Sequence, residues 1–243
     1  MMQSNQETVI EKFTKHLNPE HVSDVRDDWY YMFISKLKVD YRLISKIPDG
    51  LKEKRVLNVG TFFPIDEIYF ASRVKEFYSI DIAPEIIRVA NQIADKEIHP
   101  NFRDKIKIQV ADATNLPFED NYFDVSFSFS TLEHIPEKEK RDKAFTELIR
   151  VTKKGGYVII TVPNKLNVGK YLRSLIMQKK GTSPFGYEHH YTPNQLKKIF
   201  LKNGVKPLFF CSSAGDLSGV FFRLHDFLVK PFGHRMGWIG IKI

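Results

Sequence analysis

A single cysteine stands among the 243 residues of this chain. One thiol excludes an intramolecular disulfide and any multi-cysteine zinc centre. Cys211, inside the apolar run LFFCSS, reads as a small buried residue rather than a nucleophile. Long apolar stretches are also missing: none approaches the ~20 residues that a membrane-spanning helix needs. The segment MMQSNQETVIEKF has no basic leader followed by an apolar stretch, so the expectation is a soluble, cytoplasmic protein. Despite a net charge of +8, there is no compact block of lysine and arginine. The basic residues are scattered and mostly stand beside acidic ones, which favours a solvated surface and gives no strong nucleic-acid signal. Internal repeats and low-complexity linkers are absent as well.

What is present is enough apolar material for a sizeable core, with 42% hydrophobic and 13% aromatic residues. Over residues 7–47, Trp29, Met32, Phe33, Leu37 and Tyr41 return every three or four positions, as one face of a helix does. This predicts an N-terminal helical extension over residues 1–50, ending at the turn signal Pro48-Asp49-Gly50. Residues 51–243 are expected to form the main domain. There RVLNVG, EFYSIDI, IKIQVAD, FDVSFSFS and YVIITVP read as strands, separated by helical segments such as PEIIRVANQIADKE, with Pro84 in its first turn. The pair Gly155-Gly156 reads as the C-cap of the helix EKEKRDKAFTELIRVT. Strands alternating with helices imply βαβ crossovers, hence an α/β, doubly wound, mostly parallel sheet covered on both faces. Past Pro163 the rhythm breaks into an insertion over residues 164–190, followed by the helix TPNQLKKIFLKNG and a further strand, VKPLFFCSS.

Ligands of open parallel sheets bind at the carboxyl ends of the strands. Gly60 closes the first strand, and Asp81 closes the second 21 residues later, the usual distance for a carboxylate that accepts from ribose hydroxyls. Asp112 closes the third strand, and Ser128 and Ser130 close the fourth. Each residue alone reads as strand-end polarity or helix capping; four ends in register point to a nucleotide site.

The segments ADATNLPFEDNYFDVSFSFSTLEHI, ELIRVTKKGGYVIITVPN and YEHHYTPNQLKKIFLKNGVKP resemble class I S-adenosylmethionine-dependent methyltransferases of the small-molecule type, including those of quinone biosynthesis. The resemblance implies a seven-stranded Rossmann-like methyltransferase sheet, S-adenosylmethionine as cofactor and S-adenosylhomocysteine as product. It places Gly60 and the amide of Thr61 at the methionine end, Asp81 on the ribose and Ile82 beside the adenine. Asp112 would accept from the adenine amino group, Ala113 would line the ring, and Phe129 and Ser130 would face the sulfonium and its methyl. The sulfonium already makes the methyl electrophilic, so alignment and desolvation are the main demands on the protein.

One stretch departs from the family: VLNVGTFFPIDE has Phe62 and Pro64 where two further glycines are expected, and Asn58 where an acidic residue is often found. Phenylalanine and proline restrict positive φ, and proline removes an amide donor. The alternative to an enzyme is therefore a non-catalytic binding or scaffold protein that kept the fold and lost the cofactor. Candidate acceptor-side groups are His134, after the fourth strand, and His189, in the insertion. His189, His190 and Glu188 lack a helical i,i+4 metal-ligand pair, so no metal is expected. The acceptor is expected to be a small molecule, lipid-like or sugar-like in character. The aromatic and basic tail, residues 217–243, carries Phe221, Phe222, Arg223, Phe227, Lys230 and Trp238; it reads as packing over the sheet edge, with peripheral membrane contact as the alternative.

Overall fold

The computed structural model describes residues 38–213 and 232–243. Seven strands form one sheet in the order β3-β2-β1-β4-β5-β7-β6. They are β1 (Arg55–Val59), β2 (Glu76–Asp81), β3 (Ile106–Val110), β4 (Phe123–Phe129), β5 (Thr152–Pro163), β6 (Val205–Ser212) and β7 (Arg235–Lys242). All neighbours run parallel except β7, which is antiparallel to both β5 and β6. This is the mostly parallel seven-stranded sheet the family likeness implies. Sequence order reverses at β1, which has β2 on one side and β4 on the other, and a switch point of this kind opens a crevice at the carboxyl ends of the strands.

Alternation along the strands builds a core on each face. Val56 belongs to one apolar cluster, with Phe77 and Phe127, whereas the next residue, Leu57, joins Leu148 and Phe200 in another. Helices α2 (Ile65–Phe70), α3 (Pro84–Glu97), α4 (Pro100–Arg103), α5 (Lys138–Val151), α6 (Val168–Lys179) and α7 (Pro193–Lys202) connect or flank the strands. In α3 the buried set Ile86, Ile87, Val89, Ala90, Ile93 and Ala94 forms one stripe, and Pro84 sits in the first turn as its fixed φ allows. Thr192 and Gln195 close a capping box at the start of α7.

Two expectations meet the tertiary structure differently. The Gly155-Gly156 pair does not cap α5: β5 begins at Thr152, immediately after the helix, and runs through both glycines. Gly155 adopts φ +77, and the β4–β5 register shifts between Phe123 and Val125, so the glycines serve a β-bulge. The second correction concerns the tail. Residues 235–242 do not pack over an edge but form β7, hydrogen-bonded between β5 and β6. Trp238 packs on Phe210 and donates from Nε1 to the carbonyl of Pro193, so it is part of the fold rather than a membrane-facing group. Phe221, Phe222, Arg223, Phe227 and Lys230 lie outside the described residues. At the other end, Trp29, Met32, Phe33 and Leu37 also lie outside them. The segment before Pro48 contributes α1 (Asp40–Ile44), whose Tyr41, Leu43 and Ile44 belong to the same core cluster as β1, β2 and β4.

Candidate active site

The altered loop is built around a buried carboxylate. Glu67, in the first turn of α2, is wholly inaccessible and accepts from Asn58 Nδ2 at 3.0 Å and Thr61 Oγ1 at 2.9 Å. The Ser79 hydroxyl donates to the same oxygen. Burial, reinforced by neighbouring Asp66, pushes the Glu67 carboxyl above the ordinary value. Asn58 therefore holds Glu67 rather than reaching a ligand, and an uncharged residue there suits a position beside a buried acid.

Within the loop only Gly60 has a positive φ, +96, and Phe62 and Pro64 do not need one. A Cβ at Gly60 would overlap the Thr131 side chain, so the close packing of that side chain on the loop backbone requires glycine here. Phe62 and Phe63 meet edge to face and pack against the Ala83, Ile86, Val89 and Ile93 cluster at the start of α3. The aromatic pair becomes a wall of the crevice.

That crevice is a cavity of about 500 Å³, within the range of small-molecule sites. Among the residues the sequence singled out, Gly60, Asp81, Ile82, Asp112, Ala113, Phe129, Ser130 and His134 all line it. Thr61 and His189 do not. The Thr61 side chain is buried against Glu67, and its amide, like that of Gly60, donates to the Ile80 carbonyl. His189 faces a separate groove with Arg141 and Tyr191, and burial together with the Arg141 charge lowers its pKa to about 4.

At the cofactor end, burial raises the Asp81 carboxyl to about 6, partly offset by the amides of Ala83 and Ile82. Ile82 is 38% exposed although apolar, as a side chain flanking a planar ligand would be. Asp112 accepts from the Thr114 amide at 2.7 Å, which orients its carboxylate at the rim. Ser130 has φ +55, an uncommon conformation for a non-glycine residue, at the carboxyl end of β4 where strain often marks a site. These residues fit a nucleoside with two hydroxyls, a flat base and a flexible tail close to backbone.

The acceptor end was only partly legible in the sequence. His134 ends the 3₁₀ turn Leu132–His134, and its Nδ1 lies 2.8 Å from the Tyr187 carbonyl. A carbonyl only accepts, so Nδ1 carries the proton and the lone pair lies on Nε2. Burial lowers the His134 pKa, and the ring is neutral at neutral pH. Glu188 lines the same cavity. Burial opposes its charge, but the hydrogen bond and charge of His190 hold its pKa below the usual carboxylate value. Phe185, Lys140 and Arg235 complete this end. Sequence reasoning missed Glu67 and Arg235: the first is one acid in an exposed-looking helix pattern, the second enters from the final strand.

With this geometry in hand, the chain can be set beside known proteins. Residues 59–160 match the family model described as Methyltransferase domain. Tocopherol O-methyltransferase, chloroplastic, of Arabidopsis thaliana is 37% identical over 110 residues, 45% of this chain and 30% of that protein. The chain thus spans less than half the length of the curated relatives it matches. An S-adenosylmethionine-dependent methyltransferase of Thermotoga maritima superposes with a TM-score of 0.63 at 16% identity, covering 97% of this chain and 100% of that one. Magnesium protoporphyrin IX methyltransferase of Synechocystis, solved with bound S-adenosylhomocysteine, gives 0.63 at 16% identity over 86% of this chain and 83% of that one. Strand order, switch-point cavity and family match together define a class of protein. Residues 59–160 carry a methyltransferase domain, and the sheet has the fold of class I S-adenosylmethionine-dependent methyltransferases. Among the described residues no helix is long and apolar enough to cross a membrane.

Proposed function

We propose that this protein transfers a methyl group from S-adenosylmethionine to a small, largely apolar acceptor bound beneath the 164–190 insertion. The observation that carries this reading is a single continuous cavity: Gly60, Asp81, Asp112 and Ser130 line one end, and His134, Phe185 and Glu188 line the other. When bound, the cofactor supplies a sulfonium-activated methyl group. The chain's own residues orient and desolvate. Asp81 would accept from the ribose hydroxyls, Ile82 and Ala113 would flank the adenine, and Gly60 would let the methionine tail approach the backbone. Asp112 would take the adenine amino group, and Phe129 and Ser130 would border the transferring methyl. At the other end, Phe185, Ile135 and Pro136 offer apolar contact, while neutral His134 presents a lone pair toward the acceptor. Alignment of this kind supplies much of the rate in transfer between two bound reactants.

Calorimetric titration with S-adenosylhomocysteine tests the cofactor half. Binding to the wild-type chain and its loss in Asp81→Ala support the reading. No detectable heat at millimolar ligand would leave the scaffold alternative standing. A panel of phenolic, amine and sugar acceptors with labelled methyl donor then tests transfer.

A further inference from the structure

We propose that Glu133, His134 and Glu188 form a binding site for a divalent first-row transition cation at the acceptor end of the cavity. The three side chains each bring one ligand atom within 4.8 Å of the others, a spacing that a metal closes with small movements. Glu133 supplies the independent evidence. It is 0% exposed, and among the described residues neither carboxylate oxygen has a hydrogen-bond partner. A buried carboxylate in that condition is costly unless a partner arrives.

The surroundings hold the three groups in place. The Glu133 carbonyl accepts from the His189 amide at 3.0 Å, and the Tyr187 carbonyl lies 2.8 Å from His134 Nδ1, so the 3₁₀ turn is laced to the segment that carries Glu188. The hydrogen bond to Tyr187 leaves the His134 lone pair on Nε2, the arrangement in which metal-bound imidazoles are usually held. Glu188 Oε2 accepts from Ser174 Oγ at 3.1 Å and pairs with His190 Nε2 at 2.9 Å, a second ring of contacts that fixes its direction. Other charges that face Glu133 are Arg235 and Asp40. Arg235 donates to both oxygens of Asp40, at 2.8 and 2.7 Å, so those two charges largely cancel. That leaves Glu133 and Glu188 as the acidic groups that a cation would meet at the cluster.

One imidazole with two carboxylates suits Mn²⁺, Fe²⁺ or Zn²⁺ better than Ca²⁺ or Mg²⁺, which prefer oxygen alone. Three protein ligands leave coordination positions open toward the cavity that His134 and Glu188 line. An acceptor oxygen could occupy one of them, and on this assignment His134 orients the acceptor as a ligand instead of acting as its base. That role rests on the methyl-transfer reading; the cation site itself does not.

The experiment uses the full chain after treatment with a chelator. Mn²⁺ and Zn²⁺ are titrated by calorimetry and by thermal melting, with Mg²⁺ and Ca²⁺ in parallel arms. Binding of Mn²⁺ or Zn²⁺ at one site per chain and a raised Tm are expected. Glu133→Gln and Glu188→Gln should each weaken that binding by about tenfold or more, since even supporting residues of metal sites matter on this scale. S-adenosylhomocysteine affinity, measured without cation, should be unchanged in both variants, which also reports that they fold. No binding of Mn²⁺ or Zn²⁺ at millimolar concentration overturns the proposal, as does wild-type affinity in both variants. Equal binding of Ca²⁺ overturns the assignment to a transition cation. A chain that binds the cation but not S-adenosylhomocysteine keeps the site and refutes the methyl-transfer reading instead.

Discussion

Asp81 should make cofactor binding and folding stability depend on pH in opposite ways. Burial raises its carboxyl from 3.8 to about 6 in the cofactor-free protein. An acid whose folded pKa lies above its unfolded one binds its proton more tightly when folded. Stability contributed by that proton is therefore present at low pH and lost as pH rises through about 4 to 6. A shift of roughly two units at 1.36 kcal/mol each means that ionised Asp81 costs about 3 kcal/mol at pH 7.5, as an upper bound. Asp81→Asn keeps the oxygen that accepts from the Ala83 amide at 3.1 Å and removes the charge. The cofactor-free variant should be more stable than wild type at pH 7.5, by up to about 3 kcal/mol, and the gap should narrow as pH falls through about 6 and close near about pH 4. Binding reverses the order. On the proposed reading the ionised carboxylate would accept from both ribose hydroxyls, and hydrogen bonds to charged groups contribute about 1.5–3 kcal/mol, so the variant should bind S-adenosylhomocysteine about ten- to a hundredfold more weakly. Wild-type affinity should fall up to about tenfold per pH unit below 6, while the variant's stays flat. Urea unfolding between pH 4 and 8 and calorimetry between pH 5 and 8 read the two quantities. A variant less stable than wild type at pH 7.5, or a flat wild-type binding profile, would refute the reasoning.

Two further substitutions probe the altered loop. Gly60→Ala puts a Cβ into the Thr131 side chain at a backbone φ of +96, where the conformational term alone costs roughly 1–2 kcal/mol. Urea unfolding should show a loss of at least about 2 kcal/mol together with weaker S-adenosylhomocysteine binding, and a change within about 0.5 kcal/mol would contradict the close approach. Glu67→Leu strips the shared acceptor from Asn58, Thr61 and Ser79, each buried donor costing about 1–3 kcal/mol when left unmade, so a net destabilisation of about 2–4 kcal/mol is expected. Glu67→Gln keeps a carbonyl acceptor and should lose less; equal losses in the two variants would argue that Glu67 contributes by shape alone.

Much of the architecture was legible because it is local. RVLNV, EFYSID and PEIIRVANQIADKE carry the periods of their elements, and the residues that close strands β1 to β4 fall at one edge for purely topological reasons. Gly60, Asp81, Asp112 and Ser130 could therefore be grouped from the sequence alone. Phe62 and Pro64 misled because the expected glycines imply positive φ, while the chain meets the crevice with a loop that needs it only at Gly60. Gly155-Gly156 misled because a C-cap and a β-bulge both call for glycine at positive φ, and only strand pairing separates them.

By itself, the order of residues determined the alternation of strands and helices, the parallel sheet and the four strand-end positions that face the switch point. These depend on contacts a few residues apart and on the fixed geometry of βαβ units. Only the tertiary structure decided that β7 enters between β5 and β6, that Glu67 organises the loop after β1, and that Glu188 meets Glu133 and His134. Each of these joins segments far apart in the chain. Burial, which raises the carboxyl pKa of Glu67, Asp81 and Glu133, exists only once those segments have met.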